Sequence, residues 1–239
     1  MLTNKSNYIF VDSSKRLNKL NSNSNNFIIS FNSQININNY IKLLSVVIPK
    51  TCYLINTKNN TFVITFNDNT TFNISLPINN YDYETLSITI KNLINYANFN
   101  MVFDDKTYCY LFTANQNFTI KFNSNINILF NMLKNINYVS NSNTLKTNII
   151  NFNFPLFLNI DLVNIESTFF NSDNSNANFI IPFNVERFGL LNYNNNLFNQ
   201  INYVNKQYNL NNLHIRLLDE NNELIDLNNC DFQMIFEFE

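Results

Sequence analysis

The least polar uninterrupted run of the chain is YIKLLSVVIPKT, residues 40–51. Read with the period of two that strands show, this run carries apolar residues on both faces. One face holds Ile41, Leu43 and Val47, and the other holds Leu44, Val46 and Ile48. A strand with two apolar faces must be covered on both, which predicts the central strand of a β-sandwich. Pro49 ends the strand, because proline cannot donate to a ladder.

Length and composition indicate a folded chain with a large core. At 239 residues it suits one large β domain or two small ones. Hydrophobic residues make up 45% and aromatic residues 15%, which is well above the apolar supply of a disordered chain. Asparagine is about a quarter of all residues and glycine occurs once, so we expect asparagine to make many of the turns. A genome rich in A and T is the simple explanation of this bias.

Charge is sparse and unevenly placed. The net charge of -2 provides no global basic field for nucleic acid, so sequence-specific nucleic-acid binding is not expected. The basic residues near the start are Lys5, Lys15, Arg16 and Lys19. The acidic residues of the C-terminal stretch, which we interpret as a hairpin, are Asp219, Glu220, Glu223, Asp226, Asp231, Glu237 and Glu239. The basic and the acidic group could each bind a partner of opposite charge, or they could bind each other. The common alternative is that both groups are simply solvated surface residues.

Cysteine usage and hydropathy place the protein among non-secreted chains. Cys52, Cys109 and Cys230 are widely spaced and form no CxxC pair, which is typical of reduced, small apolar residues. No apolar run approaches the length of about 18 residues that spans a bilayer. The first residues lack the apolar centre of a signal peptide. We therefore expect no membrane span.

The first part of the chain reads as an arm followed by strands. Residues 1–25 hold one short apolar piece and then a polar stretch without a period, which predicts an N-terminal arm. Strict alternation predicts a strand at 26–32. Two alternating runs flank Asn67-Asp68-Asn69, and this pattern predicts a β-hairpin. A second hairpin is expected around Asp104-Asp105-Lys106, followed by a strand at 117–122.

One convincing helix lies between the hairpins. Asp82 is suited to cap it and Glu84 lies in its first turn. Its apolar residues recur at helical spacing: Leu86, Ile90, Leu93 and Ile94. Residues 126–135 fit one short helical turn or two.

The second half predicts strands separated by long loops. Residues 135–150 are polar and poorly patterned, and we interpret them as a crossing connection of the kind that jelly rolls use. Strands are expected at 156–163 and 178–183, and Gly189 suggests a bulge. Residues 192–212 are rich in asparagine and predict a long exposed loop. The strand at 213–218, a turn and a strand ending the chain follow.

About a dozen short strands, one helix and no βαβ alternation predict an all-β antiparallel sandwich. Hairpin pairs separated by long loops favour a single jelly roll over residues 26–239, with the arm at 1–25.

No catalytic signature is present, and no cofactor is expected. His214 is the only histidine and alternates with Leu213 and Ile215, which is typical of a structural or surface histidine. Asp104 and Asp105 are adjacent, but a two-residue acidic hairpin tip is usually a turn. With one histidine and scattered cysteines there is no zinc set. The many Phe and Tyr residues would suit a stacking platform for sugars or bases, although at strand spacing they are more often core. The sequence therefore gives no indication of an enzyme.

An ordered set of motifs resembles the penton proteins of virophages and polinton-like viruses. The motifs are FVDSSKR at 10–16, SVVIPKTCYLIN at 45–56, LPINNYDYETLSITIKNLI at 76–94, and the closing strands at 213–239. Together they cover roughly the first 110 residues and the last 27. The chain departs from the family pattern at Asn80 and at Asn229-Cys230, where glycine is common. Asparagine suits both turns.

The resemblance implies a function. It implies a single jelly roll that forms a homopentamer at the five-fold vertices of an icosahedral capsid, assembled in the host cell. It also implies contacts with the double-jelly-roll major capsid protein and with other minor capsid proteins. We expect the basic arm residues Lys5, Lys15, Arg16 and Lys19 to contact neighbouring capsid proteins. The alternatives are a minor capsid or spike protein that binds glycans or a receptor through residues 192–212.

Overall fold

The computed structural model describes residues 6–17, 23–167, 169–170, 176–194 and 200–239, and the chain is almost entirely β. The strands before the first helix are β1 (Asn7–Asp12), β2 (Asn26–Ile37), β3 (Tyr40–Pro49), β4 (Thr61–Phe66) and β5 (Thr71–Ser75). Helix α1 (Tyr83–Ile94) precedes β6 (Asn100–Asp104), β7 (Cys109–Thr113) and β8 (Phe118–Lys121). Helix α2 (Ile126–Leu129) precedes β9 (Asn137–Val139), β10 (Thr144–Lys146), β11 (Phe157–Leu162), β12 (Phe169–Phe170) and β13 (Asn176–Ala177). The last strands are β14 (Phe179–Pro182), β15 (Leu190–Asn194), β16 (Ile201–Tyr203), β17 (Tyr208–Leu218) and β18 (Gln233–Phe238).

The chain divides into two compact units. Unit 1 consists of Met1–Cys52 and Pro155–Glu239, and unit 2 is Tyr53–Phe154. Each unit has its own cluster of buried apolar side chains. This division differs from the single domain expected over 26–239, because the strands of 53–154 bury their apolar residues against one another. Strand β1 also lies inside the expected arm and belongs to a sheet of unit 1.

Unit 1 is a jelly roll. Its first sheet has the order β1-β18-β3-β15, with β16 also pairing with β3, and its second sheet has the order β14-β11-β17-β2. An eight-stranded jelly roll, with strands lettered B to I along the chain, has the sheet orders B-I-D-G and C-H-E-F. Both orders result here when β15 and β16 together count as strand G. Every pairing in the two sheets is antiparallel, so the predicted fold class is confirmed.

Strand β3 is central, as predicted, but its two faces differ from the prediction. The fully buried residues are Ile41, Leu43, Val46 and Ile48. Along the neighbouring strand, Ile235 lies opposite Ser45 and the next residue, Phe236, lies opposite Leu43. Leu44 is therefore an extra residue, a β-bulge that changes the phase of the alternation. A strict period of two cannot detect such a bulge, so the assignment of the buried residues to both faces was wrong.

Unit 2 contains two sheets and both α-helices. The sheet orders are β5-β4-β8-β9 and β10-β7-β6. Both predicted hairpins are confirmed, as β4–β5 and β6–β7. Strands β9 and β10 lie in the segment 135–150 that was predicted as a long connection. That interpretation was wrong because three-residue strands are too short to show a period.

Helix α1 begins where the sequence predicts. The side chain of Asp82 accepts a hydrogen bond from the Thr85 amide at 2.7 Å, and the Thr85 hydroxyl accepts one from the Asp82 amide at 3.1 Å. These two bonds form a capping box. Leu86, Ile90 and Ile94 are buried, whereas Leu93, predicted on the same face, is 41% exposed.

Three predictions for the second half of unit 1 need correction. The segment 192–212 is not one long loop: within the described residues it holds the end of β15, all of β16 and the start of β17, and 195–199 lie outside them. Exposed asparagines in β15 and β17, and the buried Asn202 in β16, conceal the alternation of apolar residues. Gly189 precedes β15 rather than forming a bulge, and a Cβ there would lie 2.8 Å from the Glu186 carbonyl oxygen. Strands β17 and β18 are no hairpin, because they lie in different sheets.

Asparagine does replace glycine at turns. Nine of the twelve described non-glycine residues with positive φ are asparagine. Asparagine tolerates the left-handed region because its short side chain bonds locally. Phe188 and Tyr108, at φ 63° and 53°, are the aromatic exceptions among the described residues.

Candidate functional site

The predicted arm residues lie in different surroundings. Lys5 and Lys19 fall outside the described residues. Lys15 ends a 3-10 turn, Ser13–Lys15, and is exposed. Arg16 is buried at 7% exposure, and its Nη1 atom lies 2.5 Å from Oδ1 of Asp231. The structure therefore brings a basic residue of the N-terminal stretch into contact with an acidic residue near the C-terminus, one of the arrangements that the sequence allowed.

The motif FVDSSKR joins the first strand to the last. Asp12 caps the 3-10 turn by accepting a hydrogen bond from the Ser14 amide at 2.9 Å. Arg16 donates to the Ser13 carbonyl at 2.7 Å as well as to Asp231. The Ser13 hydroxyl donates to Asp231 and accepts from the Phe232 amide, both at 2.9 Å. These polar residues have a structural reason to occur together, since they tie the end of β1 to the start of β18.

A groove of about 330 Å³ lies at this end of the first sheet of unit 1. Val47, Pro49 and Leu190 form its apolar wall, and carboxylates of Asp12 and Asp231 lie on its polar side. The groove is open to solvent. It offers contact for a side chain or a strand rather than a closed binding chamber.

The edges of the first sheet expose large apolar side chains. On β1, Tyr8 is 64% and Phe10 is 60% exposed. On the opposite edge, Leu190 of β15 is 53% and Tyr203 of β16 is 63% exposed. Strands β3 and β18, in the middle of the sheet, carry no exposed large hydrophobic residue. The exposed apolar surface of this sheet is thus concentrated at its two edges.

The segment that follows β3 is held by polar contacts. Lys50 is 2% exposed, its Nζ donates to the Phe183 carbonyl at 2.8 Å, and it lies 5.1 Å from the centre of the Phe183 ring. Burial lowers the pKa of Lys50. Arg187 donates to the Cys52 carbonyl at 2.8 Å, and burial raises the pKa of the Cys52 thiol. The last residues of the motif SVVIPKTC are therefore held by Phe183 and Arg187, which lie more than 130 residues away in the sequence. The sequence alone does not reveal these contacts.

Glu220 holds the segment where unit 1 resumes. Its Oε1 accepts a hydrogen bond from the Leu156 amide at 3.0 Å. Its other oxygen, Oε2, is buried and has no hydrogen-bond partner. Burial raises the pKa of Glu220, and the charge of Asp219 acts in the same direction. Glu220 is therefore a structural carboxylate whose ionised form is disfavoured.

His214 belongs to a polar row on the second sheet of unit 1. Its Nε2 lies 2.7 Å from Oδ1 of Asn26. The neighbouring Arg216 forms an ion pair with Asp161, with Nη2 and Oδ2 2.5 Å apart. Burial lowers the pKa of His214, and the charge of Arg216 lowers it further. These contacts leave His214 fixed beside an amide and give it the structural role expected from the sequence.

The other polar clusters hold loops. In unit 2 the Tyr96 hydroxyl donates to Oδ2 of Asp68 at 2.7 Å and keeps the pKa of Asp68 at about 2. Asp104 accepts hydrogen bonds from the Thr107 hydroxyl and the Lys106 amide, so it stabilises a turn, as expected.

Across the described part of the chain, no group of three or more His, Cys, Asp or Glu is placed to hold a metal ion. In the same residues, no helix is long and apolar enough to span a membrane.

Comparisons with known proteins identify similar structures only. No family model matches the chain, and no curated protein matches it. The crystal structure of the mavirus penton protein is similar over 98% of this chain and 99% of its own, with 14% identity and a TM-score of 0.49. A chain of the Sputnik virophage, solved by cryo-EM, is similar over 98% of this chain and 97% of its own, with 11% identity and a TM-score of 0.48. One of these structures is a penton protein, and the other comes from a virophage.

Proposed function

We propose that this protein is a structural component of an icosahedral virus capsid, where it forms homopentamers that close the five-fold vertices. The observation that carries the proposal is the strand order of unit 1, B-I-D-G and C-H-E-F, in a chain whose motifs resemble virophage penton proteins. Capsid proteins of many viruses use this fold. Each subunit of a closed ring needs two different lateral surfaces, one for each neighbour. The two edges of a β-sandwich can serve as these surfaces.

The polar clusters of the described residues support a structural role rather than catalysis. The buried Arg16 and Lys50 and the half-buried Glu220 each bond to a backbone carbonyl or amide, and Arg16 also pairs with Asp231. Such contacts fix loops and strand ends. We therefore propose no enzymatic activity and no cofactor.

The partners follow from the vertex position. In the proposed arrangement each subunit contacts two copies of itself, and the pentamer contacts the double-jelly-roll major capsid protein and other minor capsid proteins. The N-terminal basic residues remain proposed capsid contacts. Arg16, bonded to Asp231, would anchor the base of the arm. Lys5, Lys15 and Lys19 would then supply the charges that reach a neighbour.

Co-expression with the major capsid protein tests the vertex role. We expect particles whose cryo-EM reconstruction shows this chain as a five-fold plug, and particles that omit it would be open at the vertices. Density for the chain at other positions, or closed particles formed without it, would contradict the proposal.

A second experiment tests the basic residues of the arm without disturbing the fold. Deleting residues 1–25 would remove β1 and disturb the sheet, so the better variant is Lys5→Ala/Lys15→Ala/Lys19→Ala. We expect an unchanged pentamer whose incorporation into particles falls several-fold. The control is Lys58→Ala/Lys91→Ala/Lys121→Ala in unit 2, for which incorporation should be normal. Equal incorporation of both triple variants would sink the arm proposal.

A further inference from the structure

The two edges of the first sheet of unit 1 share an uncommon property. Solvent-exposed edge strands usually carry lysine, proline or inward-pointing charges, which prevent pairing with other chains. Strand β1 reads NYIFVD, β15 reads LLNYN and β16 reads INY. None of them contains lysine, arginine or proline, and the one charge is Asp12 at the end of β1. Within the described residues, no further strand pairs with the outer side of β1, β15 or β16.

Both edges present large apolar side chains on the same face of the sheet. In β1 the buried Ile9 and Val11 alternate with the exposed Tyr8 and Phe10, which fixes the outward face. At the other edge, Leu191 is buried and Leu190 is exposed. Tyr203 lies beside Tyr40 in the register of β16 with β3. We call Tyr8 and Phe10 the β1 edge, and Leu190 and Tyr203 the β15/β16 edge.

The strand directions suit a head-to-tail contact. Strand β1 is antiparallel to β18, β18 to β3, and β3 to β15, so β1 and β15 run in opposite directions. A rotation about an axis parallel to the strands preserves these directions. The β1 edge of one copy then meets the β15/β16 edge of the next copy with antiparallel strands, which is the favourable sense for packing between adjacent edges.

We propose that the occupant of each edge is a second copy of this chain, with the β1 edge of one subunit packed against the β15/β16 edge of its neighbour around a closed ring. This inference rests on the proposed function, because the ring is the proposed homopentamer. The contact is heterologous: each subunit uses two different patches, and the chain of contacts ends only when the ring closes. The four side chains bury roughly 400 Å² in this contact, about a quarter of a standard interface, and form its apolar centre.

Two edge variants test the inference by complementation. The β1-edge variant is Tyr8→Ser/Phe10→Ser, and the β15/β16-edge variant is Leu190→Ser/Tyr203→Ser. Each variant lacks one half of the contact and should be monomeric in native mass spectrometry. Mixed in equal amounts, with one partner labelled with ¹⁵N, they should form a heterodimer, because the intact edge of each meets the intact edge of the other. No larger species should form.

The controls distinguish this inference from the proposed function. Val139→Ser removes a side chain that is 68% exposed in unit 2 and should leave the ring unchanged. Circular dichroism and thermal melting check that the variants fold, and Phe10→Lys and Tyr203→Lys form a second pair if a double variant unfolds. If both edge variants form the same ring as the wild type, the proposed contact is wrong, but the proposed pentamer is not contradicted. A wild-type chain that forms no ring, either alone or beside the major capsid protein, overturns both. A β15/β16-edge variant that dimerises alone contradicts the head-to-tail arrangement.

Discussion

At the scale of single residues, burial of polar groups explains motifs that composition does not. Arg16 and Asp231 are 215 residues apart in sequence, yet they form an ion pair at 2.5 Å. Lys50 is one of the most deeply buried charged residues of the chain. A buried charge is tolerated only where hydrogen bonds or an opposite charge compensate for lost hydration. Such compensation here comes from distant segments, so the sequence shows the residue type but not its partner.

The Arg16–Asp231 pair gives a direct stability prediction. Arg16→Ala removes the side-chain hydrogen bonds to the Ser13 carbonyl and to Asp231, and it leaves Asp231 partly buried without its counter-charge. The Asp231 side chain is about one third exposed, so water partly compensates for the lost ion pair. We therefore expect a loss of roughly 2 kcal/mol in the free energy of unfolding. Urea denaturation followed by circular dichroism measures it. Lys15→Ala, at the exposed neighbouring residue, should change stability by less than about 0.5 kcal/mol. Equal effects of the two substitutions would refute a stabilising role of the Arg16–Asp231 ion pair.

Glu220 predicts a pH dependence. Burial raises its pKa in the folded state above the unfolded value of 4.5. The stabilisation from this group is therefore fully present below the unfolded pKa and is lost as the pH rises through the folded pKa. Glu220→Gln keeps an acceptor for the Leu156 amide and removes the charge. The variant should melt a few degrees higher than the wild type at pH 7 and show no advantage at pH 4, when thermal melting is followed in matched buffers. A lower melting temperature at pH 7 would contradict the assignment.

At the scale of secondary-structure elements, patterns longer than about five residues predicted well. The hairpins, helix α1 and the central strand were all recoverable, because their alternation or helical spacing extends over several residues. Strands β9, β10 and β16 have three residues each and escaped detection. The bulge at Leu44 changed the phase of the alternation in the second half of β3, so that Val46 and Ile48 are buried on the same side as Ile41 and Leu43. A strict period of two continues through an extra residue without any signal in the sequence.

Helix α1 provides the prediction at this scale. Asp82→Ala removes the acceptor of the Thr85 amide and breaks the capping box. We expect a loss of about 1 kcal/mol in the free energy of unfolding, the usual cost of an N-cap. Asp105→Ala, at an exposed turn residue, is the matched control and should be nearly neutral. If both variants unfold at the same denaturant concentration as the wild type, the capping box contributes nothing.

At the scale of the whole molecule, sequence patterns indicated the fold class but not the two units. Residues 53–154 separate β3 from β11 in the jelly roll, and this insertion has turns and strands of the same asparagine-rich composition as unit 1. Because the composition does not change at Tyr53 or at Phe154, no boundary is visible. The sequence also does not show which strands form the sheet edges. Strand β1 is an edge strand because it pairs with β18, more than 200 residues later in the chain.

The native mass of the purified chain shows whether this protein forms a pentamer. We predict a species of about 140 kDa, five copies of the 28.1 kDa chain, in native mass spectrometry, with five-fold rings in negative-stain images. A trimer would contradict the vertex role and favour a spike or minor capsid protein. A chain that remains a monomer, both alone and beside the major capsid protein, would contradict the proposed vertex role and the proposed ring contact.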